Sequence, residues 1–518
     1  MIQAENRTAK SLKNSIVAIW VYIINLILQF CSRKIFLEYL GAEVLGLNTT
    51  ANNLLQFLNL AELGIGNAVA FTLYKPLHNK DYNSINEIVS LQGWLYRKIA
   101  WVVIFGAAIL MLFFPLIFEN AKIPLWYAYA SFTALLISAL LSYFVNYTQI
   151  VLSADQKEYK IQYSYRLMML VKLLFQIVAV TYFANGYIWW IILEVLFAFI
   201  ASIALKITVK KTFPFLKKNI SIGIDLRKKY PEILTKIKQV FFHKIGGFAL
   251  TQTSPLIVYA YTSLTQVTIY ANYLLIIGGV TNMITAVFNG ISASVGNLVA
   301  EGNKTKILTV FEELFSIRYL FACTICYAVY TLSPGFITLW IGAEYLLDNV
   351  ILLLLTATLY IGITRSTVGA FIGAYGLYSD IWAPILEATL NIGLSILFGY
   401  YYELYGILLG VLISQFVVIF CWQPYFLFKK GLKVPLSIYI KIYAKNLTVF
   451  ILSILVIQLS TNYICHVSSD SWISLIYTGS IHSITFAAFM FIGLYTTTNG
   501  MKAFVKRAYN GIYKQLIK

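Results

Sequence analysis

Six charged side chains of this sequence stand inside otherwise apolar runs: Glu62, Arg166, Lys172, Glu194, Arg365 and Glu387. An ionised group in hydrocarbon is expensive, so each must find a partner, line a wet cavity or handle charge as its task. The cations Arg166, Lys172 and Arg365 have the chemistry to hold an anionic substrate. The acids Glu62, Glu194 and Glu387 have the chemistry to take up and release a proton. At about 1.5 Å per helical residue, Arg365 and Glu387 each lie about eight residues from the same predicted face, a depth at which they can pair. Lys172 and Glu62 lie about ten or eleven residues deep and Glu194 slightly further out, so Lys172 can meet either acid. The competing reading for each is a structural ion pair that locks two helices. Arg166 is near enough to the inner surface to snorkel.

A second group is uncharged. Asn48, Thr49, Thr50, Asn52, Asn53, Gln56, Asn59, Glu62 and Asn67 crowd one segment. Amides facing lipid without partners are strongly unfavourable. They therefore face protein, as polar packing contacts, or water, as a cavity wall; the density of the stripe favours the wall, with Asn52, Gln56 and Asn59 at its centre. Gly64 and Gly66 would permit bending or close approach there.

Other chemistries find no residues to carry them. There is no Walker loop, nucleotide fingerprint, zinc motif or nucleophile elbow, so neither an enzyme nor a cofactor is expected. The cysteines and histidines form no cluster with metal-ligand spacing. Cys323-Thr-Ile-Cys326 has redox spacing but lies in an apolar run, where two small packing thiols are the better account.

The elements that position these groups follow from composition. Of 518 residues 59% are hydrophobic and 12% charged, against about 25% charged in soluble domains. Such a chain cannot cover its surface in water, but lipid can replace the water. With about 20 apolar residues needed per crossing, fourteen spans are predicted, at roughly 14–32, 44–73, 99–118, 126–152, 162–184, 187–208, 242–262, 267–298, 318–340, 347–372, 379–399, 405–427, 446–464 and 473–495. The second and eighth are long and polar enough to include turns. No small-residue cleavage site follows the first run, which reads as a retained helix.

The formal charge of +18 could suggest nucleic acid, but its distribution is that of a membrane protein. With the N-terminus inside, only Arg33, Lys34 and Lys122 fall on outer segments and only Arg166, Lys172 and Arg365 within spans. All other Lys and Arg fall inside, as the positive-inside rule requires. Both termini are thus expected in the cytoplasm. Trp126, Trp189, Trp190, Trp340 and Trp472 mark outer helix ends and Trp94, Trp101 and Trp422 inner ends, an aromatic belt.

The longest hydrophilic stretch, Lys206 to Lys244, holds eleven Lys/Arg against Asp225 and Glu232 and reads as an anchor on anionic lipid. It divides the chain into a six-helix lobe (1–208), a basic cytoplasmic linker (209–241), a second six-helix lobe (242–428) and two extra helices with a basic tail (429–518). Gly64-Ile-Gly-Asn-Ala-Val-Ala70 and Ser294-Val-Gly-Asn-Leu-Val-Ala300 end the second and eighth spans, a faint repeat between the lobes.

Several fragments together carry a family resemblance. Leu45-Gly-Leu-Asn48, Leu60-Ala-Glu-Leu-Gly-Ile-Gly-Asn67 and Leu73-Tyr-Lys-Pro-Leu77 stand in the first half. Lys244-Ile-Gly-Gly247, Tyr270-Ala-Asn-Tyr273 and Ser294 to Ala300 stand in the second. Ala374-Tyr-Gly-Leu-Tyr378 follows, with Pro384, Glu387 and Asn391. In order and spacing they resemble the polysaccharide-transporter branch of the multidrug/oligosaccharidyl-lipid/polysaccharide (MOP) exporter superfamily, over residues 10 to about 425. The resemblance implies an all-α polytopic fold: a V-shaped bundle of two six-helix lobes plus two C-terminal helices in the bacterial inner membrane. It implies alternating-access flipping of an undecaprenyl-diphosphate-linked oligosaccharide such as an O-antigen, capsule or exopolysaccharide unit. Its implied partners are that lipid-linked substrate, membrane lipids and polysaccharide polymerase and assembly proteins, with no nucleic acid. The same resemblance implies an acid near Thr253-Ser254-Pro255, and this sequence has none there. The alternatives are an ion-coupled multidrug or small-molecule exporter of the same superfamily and a non-transporting envelope scaffold. The embedded charges argue against the scaffold.

Overall fold

A computed structural model of the chain describes residues 7–62, 64–248, 252–288, 291–377, 379–459 and 469–516. Among these residues there are helices and no strands. That is the expected response to a medium without water, because a helix satisfies its own backbone donors and acceptors. Among the described residues, eleven helices are long and apolar enough to cross a membrane. Two of them, Ile16–Leu58 with 43 residues and Trp382–Leu432 with 51, far exceed the ~20 residues of one crossing. Each is broken internally. The seventh expected span, 242–262, is flanked by helical segments ending at Phe248 and beginning at Ser254; residues 249–251 lie outside the described residues. The chain is a multi-pass membrane protein of about fourteen helices.

Contacts divide it into two compact units, Met1–Thr268 and Ile269–Lys518. The first contains α1 (Arg7–Leu58), α2 (Ile65–Asn79), α3 (Tyr82–Leu112), α4 (Trp126–Phe144), α5 (Leu167–Tyr182), α6 (Gly186–Thr212) and the short α7 (Gly223–Lys229). Gly41 breaks α1 with φ 84° and ψ 166°, a conformation open to glycine but strained for other residues. A 3₁₀ turn, Asn59–Glu62, follows, and Gly64 at φ 96° opens α2. The long second span is thus a helix, a turn and a second helix. A Cβ on Gly64 would also press on the Ile237 carbonyl at 3.0 Å.

The division between units falls inside α8 (Leu264–Phe288), and the next helix of the described residues is α9 (Ile291–Ala300). The repeat motifs Gly64–Ala70 and Ser294–Ala300 therefore lie in corresponding places, each on a short helix that follows a span. Next come α10 (Lys304–Trp340), α11 (Asn349–Ala374), α12 (Trp382–Gln415), α13 (Leu436–Leu459), α14 (Trp472–Thr497) and α15 (Asn499–Leu516). α12 breaks at Tyr402 and Glu403. Its legs fold back on each other, with the Ser395 hydroxyl donating to the Ile407 carbonyl at 3.0 Å. Side-chain caps start the helices that enter from polar segments: Asp81 accepts from the Ser84 amide, Asn303 from Lys306 and Asp348 from Val350, supplying partners for amides the helix leaves open.

The second unit is built around the aromatic flank of α10. Phe311, Phe315 and Tyr319 are fully buried among Phe371, Phe428 and Tyr439. The last two spans share this core: Tyr327 stacks on Phe486 with centroids 4.3 Å apart, and Met490 and Leu494 are buried with it. Outward-facing Trp101, Phe105, Leu112 and Ile473 are 66–82% exposed, as an apolar belt solvated by lipid must be.

Candidate functional site

The six embedded charges fall into three situations. On the first unit, Lys172 of α5 and Glu194 of α6 form a closed pair. The ammonium lies 2.8 Å from both carboxylate oxygens, and the side chains are 13% and 16% exposed. Gln176, one turn along α5, donates to Glu194 at 3.2 Å and to the Trp190 carbonyl at 3.0 Å. Of the two acids open to Lys172, the structure selects Glu194. Adjacent helices of one hairpin bring them together. Glu62 is held elsewhere, accepting from the Tyr96 hydroxyl at 2.9 Å.

On the second unit, Arg365 of α11 and Glu387 of α12 face each other but do not close. The nearest approach is 3.9 Å, from Nη1 to Oε1, beyond hydrogen-bond distance. The Arg365 side chain is 39% exposed while Glu387 is 6% exposed. Glu387 Oε1 is buried without a hydrogen bond, and so are both amide atoms of Asn391 one turn further along α12. Buried polar atoms left without partners are uncommon, and each costs about 1–3 kcal/mol. Arg166, the remaining expected cation, ends a π-helical turn, Gln162–Arg166, and is exposed.

The polar stripe on the second leg of α1 divides. Asn48 accepts from Tyr187 at 3.0 Å, Asn59 accepts from Tyr143 at 2.7 Å, and Asn53 donates to the Thr49 carbonyl at 2.9 Å. These are packing contacts. Asn52 is exposed and Gln56 half-buried, so only part of the stripe is taken up by these contacts. The tyrosines that satisfy that part come from α3, α4 and α6. Their role was not signalled by the sequence, in which tyrosine is simply abundant.

Two further cations escaped the sequence reading. Arg318 is 4% exposed, with Nε and Nη1 buried and unpartnered. In the sequence it stands at the start of an apolar run, where it reads as one of the inner charges. Arg33, assigned to the outer side, also buries Nε and Nη2 without partners. It belongs to the first leg of α1, which runs on to the break at Gly41.

The basic stretch after α6 is folded onto α3. Asn86 donates to the Phe215 carbonyl and accepts from the Lys217 amide. Lys229 lies 2.7 Å from Glu87, which also accepts from the Tyr230 hydroxyl. Burial, together with that carboxylate contact, pushes the Tyr230 phenol up to about 12. Lys218, over the Tyr147 ring at 5.1 Å, is shifted below the usual lysine value by burial first and then by Lys206 and Arg97.

Among the described residues no group of three or more His, Cys, Asp or Glu could hold a metal. Cys323 and Cys326 are buried free thiols, and Cys326 contacts the Thr356 carbonyl at 3.6 Å. Cys465 and His466 lie outside the described residues.

No family model matches the sequence, and no curated protein matches it. Solved structures do. A lipid II flippase, MurJ, in an inward closed conformation, superposes with TM-score 0.62 at 16% identity over 93% of this chain and 99% of its own. An inward-facing multidrug resistance MATE family transporter of the MOP superfamily gives 0.59 at 13% identity over 81% and 99%. A MATE structure in a bent conformation gives 0.51 at 13% over 82% and 96%. At these identities the likeness is one of fold: the chain has the all-α architecture found in the MurJ flippase and the MATE transporters.

Proposed function

We propose that this protein is a flippase that carries a lipid-linked oligosaccharide across the bacterial inner membrane by alternating access. The observation that carries this reading is the open Arg365–Glu387 pair, an embedded cation 39% exposed and 3.9 Å from its acid, in a fold shared with a lipid II flippase. A diphosphate leaving water needs compensating positive charge, because an unpaired buried ion costs several kcal/mol. Arg365 supplies that charge when Glu387 is protonated and is held by Glu387 when it is ionised. The sugar head group would contact the wet side of the stripe at Asn52 and Gln56, with the lipid tail left in the bilayer. Arg166 is the further cation of this reading; Lys172, already closed on Glu194, takes a structural part in it. The orientation, with both termini cytoplasmic, and coupling to polymerase and assembly proteins belong to the same proposal.

The superposition covers more of the chain on the flippase than on the exporter, 93% against 81%. The second reading, an ion-coupled small-molecule exporter, draws on the MATE likeness and on the buried acid beside the unpartnered Asn391. Deletion of the gene separates the two. The flippase reading expects loss of a surface glycan and build-up of its lipid-linked precursor, restored by the wild-type gene and not by Arg365→Ala. Unchanged surface glycan with heightened sensitivity to cationic drugs would establish the exporter instead.

A further inference from the structure

Within the second unit, a cavity of about 280 Å³ opens between α8, α10 and α11. A water occupies about 30 Å³ of liquid, so this space is large enough for a polyatomic ion with its attached group. Ile284, Phe288 and Ile363 supply apolar wall, and Thr285 and Ser366 supply hydroxyls. Arg318 is the charged residue of the lining. Its guanidinium lies over the Phe288 ring, 4.7 Å from the centroid.

Arg318 has no acid to answer it. Among the described residues it makes no ion pair. The residue is 4% exposed, and Nε and Nη1 are buried without a hydrogen-bond partner. Phe288 offsets part of the desolvation through its ring face, but a ring accepts none of the in-plane N–H bonds. A guanidinium with N–H groups still unpartnered is a strong donor to the oxygens of an anion. The Ser366 hydroxyl makes only a long 3.3 Å bond to the Gly362 carbonyl, so it can turn to donate instead. Arg365 belongs to another face: residues 363, 366 and 370 follow helical spacing along the cavity, while Arg365 points to Glu387 on α12.

We propose that this cavity is an anion site in which Arg318, stacked on Phe288, grips a phosphate group with Ser366 as an accessory donor. The anion is either free phosphate or the phosphodiester of an acidic lipid head group. The site stands apart from the Arg365–Glu387 pair and does not depend on what the protein carries.

Thermal unfolding of the purified full chain tests it. In neutral detergent, sodium phosphate is titrated against sodium chloride at matched ionic strength. In a parallel arm, phosphatidylcholine nanodiscs are compared with and without phosphatidylglycerol. A ligand that binds the folded state raises the unfolding midpoint by an amount that grows with the logarithm of one plus its concentration over its Kd. The wild type is expected to be stabilised by phosphate, by phosphatidylglycerol or by both, and the arm that responds names the source. Arg318→Gln should weaken the apparent affinity about tenfold or more, since bonds to a charged group are lost. Gly369→Leu keeps Arg318 and fills the cavity: Gly369 lines it, and a Cβ added there meets nothing within 4 Å. This variant should lose the response as well, and it decides the matter if Arg318→Gln does not fold. No wild-type response in either arm, or an equal response in wild type and Gly369→Leu, would overturn the proposal.

Discussion

Two membrane-embedded ion pairs that the sequence offered on equal terms are built differently. Lys172 and Glu194 touch through both carboxylate oxygens at 2.8 Å, both mostly buried and braced by Gln176. Arg365 and Glu387 stand 3.9 Å apart, the arginine well exposed and the acid buried with an unsatisfied oxygen. The first arrangement has its interactions complete and serves to tie α5 to α6. The second leaves Glu387 Oε1 buried without a partner among the described residues, and the proposed function rests on it for that reason.

Lys172→Ala leaves Glu194 buried and uncompensated, which costs about 3–5 kcal/mol. The expected outcome is a fall in folded protein by fluorescence-detected size exclusion, with recovery in the Lys172→Glu, Glu194→Lys double variant. A Lys172→Ala protein that folds normally and loses only transport would return Lys172 to the substrate's path.

At the open pair the effect should fall on transport. Arg365→Ala is expected to lower the glycan export rate about thirtyfold or more, the scale of losing 2–5 kcal/mol from a desolvated charge contact, at unchanged abundance. Arg365→Lys should keep part of the rate, because charge matters more than the planar fork for a moving substrate. If the Arg365→Glu, Glu387→Arg swap transports normally, the pair is a static lock.

Smaller effects belong to the polar stripe. Tyr143→Phe removes the donor to Asn59 and should cost about 1 kcal/mol in thermal unfolding, the usual net value of a neutral hydrogen bond. In a cysteine-free background, single cysteines at 52 and 56 should react with a hydrophilic thiol reagent faster than one at 59, which sits beside Tyr143. Equal rates at all three positions would restore the stripe as one continuous wet wall.

The apolar runs made most of the fold legible, since about 20 residues per crossing leaves little freedom in where spans fall. The breaks at Gly41 and Tyr402–Glu403 fall in the gaps expected between spans 14–32 and 44–73 and between 379–399 and 405–427, and the turn at Gly64 falls in a second span expected to include turns. Which residue takes the special conformation was not legible, because hydropathy registers composition and is blind to a single backbone conformation. The depth of a charge was legible and its azimuth was not, which is why Lys172 could be given two acids and only the fold chose Glu194. Arg318 was lost for a related reason: at the edge of an apolar run a charge is assigned to water, and only tertiary packing against Phe288 buries it. Tyr96, Tyr143 and Tyr187 were hidden by abundance, because nothing in a tyrosine-rich sequence says which hydroxyls will answer an amide.

On the function proposed above, the protein moves a lipid-linked oligosaccharide between leaflets. Purified protein reconstituted with a fluorescent undecaprenyl-diphosphate oligosaccharide tests it most directly, by the rate at which inner-leaflet sugar becomes accessible to an external glycosidase. The account predicts that wild-type protein accelerates this exposure well beyond protein-free vesicles and that Arg365→Ala does not. Exposure no faster with wild-type protein than in empty vesicles, in preparations that do transport a cationic dye, would contradict it.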